Sequence, residues 1–175
     1  MSRHSSKNAE RYERTIAMYQ IGEKIVHPLY GAGVIESLEE KEVEGTMQTY
    51  YVLQIPVGNL KIMISAAKAG TQGIRGIHSK DEVVAVVSSI LDTEIDMPDN
   101  WNQRYKENME RIKSGQLAEV SLVYRNLLLR ERERGLSTAE KKLMTTAKQI
   151  ILSELILAKD IDRADAETLL GSIFG

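Results

Sequence analysis

The sequence predicts an α+β chain of two domains, a small antiparallel β-barrel of the Tudor or SH3 type followed by a compact all-α helical domain. Three observations carry this. From Tyr19 to about Ile77 the apolar residues fall in short runs rich in Val, Ile and Tyr, separated by turn chemistry, which is the pattern of strands. After the loop AGTQGIRGI, with Gly70, Gly73 and Gly76, the apolar spacing changes to that of helices for the rest of the chain. An apolar content of 42% over 175 residues suffices for one ordinary domain or two small ones with real cores. The expected divisions are a leader over 1–17, a barrel over 18–77 and a helical domain over 78–175.

The leader, MSRHSSKNAERYERTIA, is polar with four basic residues and two acids. It reads as a disordered segment or an over-long start ahead of Met18, the alternative being a basic arm that touches DNA. Strands are expected at Lys24 to His27, Gly33 to Lys41, Gln48 to Ile55 and Leu60 to Ser65. Turns fall at Pro28-Leu29-Tyr30-Gly31, Glu44-Gly45-Thr46 and Pro56-Val57-Gly58-Asn59. In the last strand, alternation sets Leu60, Ile62 and Ile64 on one face and Lys61 and Met63 on the other. At a sheet edge these residues could add to a sheet of a partner protein; in the interior Met63 would simply pack locally.

Beyond the loop, Ser79-Lys80-Asp81-Glu82 is a capping box opening a helix that buries Val83, Val84, Val86, Val87, Ile90 and Leu91. An acidic connector, Asp92 to Asp99, leads into Asn100 to Lys113, with Asn100 as N-cap and Gly115 past the end. Trp101, Tyr105, Met109 and Ile112 share one stripe of this helix, flanked by Arg104 and Arg111 on one side and Lys106 and Lys113 on the other. Trp101, the only tryptophan, is open to two readings. It can anchor the core, or it can project from the helix tip as a wedge into a minor-groove base step. The next helix, Gln116 to Arg134, stops at Gly135. A second capping box, Ser137-Thr138-Ala139-Glu140, starts a long helix with Lys141 and Lys142 in its first turn, where the macrodipole prefers anions. Cations there fit an outside phosphate held with the helix amides, or are merely solvated. A short helix from about Ala164 to Phe174 closes the chain.

Composition excludes several functions. There is no cysteine, hence no disulfide, thiol catalysis or thiolate metal site. His4, His27 and His78 are too scattered for a spaced metal motif, and no run approaches the roughly 18 apolar residues of a membrane span. No nucleophile with a base partner and no nucleotide loop is present, so neither an enzyme nor a cofactor is expected, and the cytoplasm is the default location. The net charge of −2 hides a division. His78 to Asp99 carries −5, Asn100 to Ile150 carries +5 and the last 25 residues carry −3, leaving one basic segment between two acidic ones.

From Met18 to the C-terminus the chain resembles the CarD (CarD/CdnL) family of bacterial transcription regulators. Three segments carry the likeness: Tyr19-Gln20-Ile21-Gly22-Glu23-Lys24-Ile25-Val26-His27-Pro28-Leu29-Tyr30-Gly31; Asn100-Trp101 with Arg104-Tyr105-Lys106 and Ser114-Gly115; and Glu133-Arg134-Gly135-Leu136-Ser137 with Glu140-Lys141. The resemblance implies a Tudor-like domain that interacts with the RNA polymerase β subunit and a helical domain that binds promoter DNA at the upstream edge of the bubble, stabilising the open complex. It implies Trp101 as the minor-groove wedge and Arg104, Lys106 and Lys141 as phosphate contacts, to which the helix-start argument adds Lys142. On the barrel it implies a polymerase contact through Lys41 and the strand Lys61, Ile62, Met63 and Ile64. Two positions depart from the family pattern, Gln103 and Met63, where arginines often stand. The reading is a monomeric, non-enzymatic regulator; the alternative is a protein-only adaptor whose helical domain is structural.

Overall fold

The computed structural model describes residues 19–94 and 97–175; the leader lies outside the described residues. Five strands, β1 (Lys24–His27), β2 (Gly31–Val43), β3 (Thr46–Ile55), β4 (Leu60–Ser65) and β5 (Arg75–Gly76), form one antiparallel sheet in the order β4-β3-β2-β1-β5. The expected barrel followed by helices is what the chain builds. Glu44 and Gly45 close the β2–β3 hairpin at φ of 52° and 78°, the left-handed pair whose twist matches that of the flanking strands. A register shift between Ile35 and Ser37 bends β2, and the curled sheet wraps Ile25, Ile35, Tyr51, Leu53, Ile55 and Ile64.

The position of β4 settles the choice left open by its alternation: among the described residues it is an edge strand, paired only with β3. Ile64 is buried and Ile62 packs on the core, while Lys61 and Met63 are exposed. Leu60 breaks the expected pattern at 40% exposure. The sequence shows no signal for β5. It is two residues long, sits in the glycine loop, and exists by pairing with Ile25 and Val26.

The helices are α1 (Val83–Ser88), α2 (Trp101–Lys113), α3 (Leu117–Glu133), α4 (Thr138–Lys159) and α5 (Arg163–Phe174). Ser79 and Glu82 exchange the expected capping bonds at 3.3 and 3.4 Å, yet the helix proper starts only at Val83. It also stops early, and Leu91, expected inside, is 43% exposed. Arg125 of α3 holds the turns that follow: its guanidinium donates to the carbonyls of Ile90, Leu91 and Thr93. Val83, Val87, Ile112, Val123, Leu127 and Ile151 lie in the helical core, which Val57 joins from the β3–β4 turn.

Helix α4 is what docks the two halves. Gly31, at φ 96°, lets β2 approach so closely that a Cβ there would stand 2.5 Å from Ser153 Oγ and 3.2 Å from Ile150 Cα. Ser153 Oγ accepts the Ala32 amide at 2.8 Å across that contact. Next to it Glu154, fully buried, accepts both Arg75 Nη atoms at 2.8 Å, the His78 amide at 3.0 Å and His78 Nδ1 at 2.8 Å. Arg75 Nε donates to the Gly115 carbonyl at the end of the α2 turn. One carboxylate thus ties the last strand of the barrel to both α4 and the foot of α2, and both of its buried oxygens have donors.

Candidate nucleic-acid interface

Helix α2 begins as the sequence predicts, with Asn100 Oδ1 accepting the Gln103 amide at 3.0 Å. Its rotation is different. The buried line runs through Arg104, Asn108 and Ile112, a face turned by about 60° from the centre of the apolar stripe at 100° per residue. The cause is an ion pair inside the domain. Arg104 is 3% exposed; its Nε donates to Glu140 Oε1 at 2.6 Å and its Nη1 to the carbonyls of Pro98 and Asp99 at 3.1 and 2.8 Å. Burying that pair turns Trp101, Tyr105 and Met109 partly out of the core.

Trp101 stands 41% exposed. Its ring stacks on Tyr105 with centroids 5.3 Å apart and planes 16° from parallel, and its Nε1 donates to Ser137 Oγ at 2.9 Å. Ser137 is the N-cap of α4: its hydroxyl accepts the Glu140 amide and donates to Glu140 Oε2, which also takes the Ser137 amide. Indole, hydroxyl, carboxylate and guanidinium therefore form one chain of hydrogen bonds that joins the starts of α2 and α4. Burial alone would push the Glu140 carboxyl up, but bonds from Arg104 and Ser137 outweigh it and hold the group below its ordinary range. At neutral pH the chain is anchored on an anion.

The sequence-expected cations are distributed unevenly around this centre. Arg104, expected on a phosphate, is turned inward and committed to Glu140. Lys106 and Lys142 are exposed and have no ion pair among the described residues, whereas Lys141 lies 3.5 Å from Glu131 Oε1 in an exposed pair. Lys142 lines a groove of about 420 Å³ with Leu29, Tyr105, Met109, Leu143 and Thr146, so its first-turn position brings it alongside the aromatic stack. On the barrel, Lys41 Nζ lies 3.3 Å from Met63 Sδ and Lys61 pairs with Glu36 at 2.9 Å. Lys41, Lys61 and Met63 are exposed, while Ile62 is half-buried and Ile64 is buried.

Ser137 and Glu140 are the residues that sequence reading placed only as a helix cap. The capping box was legible; its link to an indole 36 positions earlier was not. Among the described residues no group of His, Cys, Asp or Glu could hold a metal ion, and no helix is long and apolar enough to cross a membrane.

Residues 19–78 match the family model described as CarD-like/TRCF RID domain, and residues 85–171 match that described as CarD, C-terminal domain. Over 144 residues the chain is 36% identical to "Putative transcription factor YdeB" of Bacillus subtilis (strain 168), covering 82% of this chain and 94% of that protein.

Proposed function

The chain belongs to the CarD family and is a transcription factor of that type, and from this premise we propose that it bridges the RNA polymerase β subunit and promoter DNA. The barrel would bind through the β4 edge with Lys41, Lys61 and Met63, adding a strand to a sheet of the polymerase. The helical half would set Trp101 into the minor groove at the upstream edge of the melted region and so hold the open complex. It is a non-enzymatic, cytoplasmic role that needs no cofactor and works as a monomer.

The observation that carries the DNA half is the pose of the indole: partly exposed at a helix tip, stiffened by Tyr105, and with its N–H already bonded to Ser137. A ring used as a wedge should bring no unsatisfied donor into the base stack, because an unmade buried hydrogen bond costs about 1–3 kcal/mol. Here the donor is satisfied from within. Unstacking intact duplex costs a few kcal/mol per step and less beside a bubble, so insertion selects distorted DNA without reading sequence. Lys106, Lys142 and Lys141 supply phosphate contacts around it, Lys141 the least because Glu131 competes for it. Arg104 serves this reading by holding the helix tip in place, since its guanidinium is spent inside.

A footprint of polymerase on a promoter, taken with and without the protein, tests this. The expected result is added protection at the upstream edge of the bubble that Trp101→Ala removes while β-subunit pull-down persists. Protection unchanged by Trp101→Ala would leave only the protein-binding adaptor.

A further inference from the structure

We infer that Ser137 is the positioning residue for Trp101, its hydroxyl fixing the indole in the orientation in which it enters DNA; this rests on the wedge reading above. Three observations meet on this one oxygen. It accepts the indole N–H at 2.9 Å, accepts the Glu140 amide at 3.2 Å and donates to Glu140 Oε2 at 3.0 Å. A serine hydroxyl has one hydrogen and two lone pairs, so all three of its bonds are made and each dictates the direction of the others. Glu140 is held in turn by Arg104 at 2.6 Å, with both side chains buried. The hydroxyl therefore cannot rotate freely, although Ser137 itself is exposed. Tyr105 fixes the plane of the ring by stacking, and Ser137 fixes its rotation within that plane. Without the hydroxyl the ring keeps its stack and loses its direction.

Preorganisation of this kind acts on affinity through ordering. Immobilising a side chain on binding costs the equivalent of roughly two- to twelvefold in affinity, and a tryptophan with two rotatable bonds sits in the lower part of that range. Ser137→Ala should weaken binding to forked DNA about three- to fivefold, with a small effect on melting from the lost helix cap. Ser137→Thr retains the hydroxyl and should restore both.

Because Trp101 is the only tryptophan, its fluorescence in the full chain reads the pose directly. In free protein, Ser137→Ala is expected to shift the emission to the red and add a fast component to the anisotropy decay, and Ser137→Thr to return the wild-type decay. A wild-type decay in the alanine variant, or an alanine-like decay in the threonine variant, overturns the assignment. So does a loosened ring with wild-type affinity for forked DNA when Trp101→Ala does weaken that affinity. If the ring loosens and Trp101→Ala also leaves forked-DNA binding unchanged, the wedge reading falls while Ser137 remains what sets the indole's pose.

Discussion

Replacing Glu154 by Gln tests the lock that joins the two halves. The carboxylate is fully buried and receives four hydrogen bonds, two from an Arg75 side chain that is itself only 20% exposed. Glutamine keeps the shape but removes the charge and turns an amide N–H₂ toward donors. Hydrogen bonds to a charged group contribute about 1.5–3 kcal/mol each, and breaking a buried ion pair costs roughly 3–5 kcal/mol. With the shape kept, about 3 kcal/mol is expected, which for a chain of this size lowers Tm by roughly 6–12 °C. Acid should expose the same group. Burial alone would raise the Glu154 carboxyl, but Arg75 and His78 together hold it below its ordinary value of 4.5. A lowered carboxyl adds stability that is complete above the ordinary value and disappears as pH falls through the lowered one. Wild type should therefore lose more stability than Glu154→Gln as the pH is lowered below about 4.5. Thermal melts by circular dichroism across that range read both effects. A loss under about 1 kcal/mol at neutral pH, or parallel acid slopes, would refute a lock built on this carboxylate.

Three further outcomes follow from the same contacts. Glu140→Gln should cost ~2–3 kcal/mol in urea unfolding, since it strands the buried Arg104, and should blue- or red-shift Trp101 emission through Ser137. Gly31→Ala should destabilise by roughly 2–4 kcal/mol, because its Cβ would meet Ser153 and the α4 backbone at a φ of 96°; a melt within 1 °C of wild type would contradict the close approach. Reversing Lys41 and Lys61 to Glu should leave Tm nearly unchanged, the exposed Lys61–Glu36 pair being worth about 0–1 kcal/mol, while abolishing β-subunit pull-down. Retained pull-down would move the contact to another edge of the barrel.

What could be seen in the sequence was local. Asn100 and Gly115 bracket α2, Ser137 and Glu140 start α4, and the runs at Lys24 to His27 and Leu60 to Ser65 are strands to the residue. What could not be seen depends on partners far along the chain. A helical wheel treats Arg104 as solvent-facing, and only Glu140, 36 residues on, turns it inward and rotates the helix. Leu91 follows the valine stripe of α1 on paper, but the helix ends at Ser88 and Arg125 holds the turns beyond it. β5 has no pattern of its own, and the buried Glu154 reads as one more polar residue on a long amphipathic helix until Arg75 and His78 are brought to it.

The proposed role comes down to whether the exposed indole does the holding. Open-complex half-life after heparin challenge, measured with wild type and with Trp101→Ala at equal occupancy of polymerase, tests that most directly. The wild-type chain should lengthen the half-life several-fold and the alanine variant should leave it at the value for polymerase alone. An alanine variant that lengthens it as much as wild type would contradict the wedge.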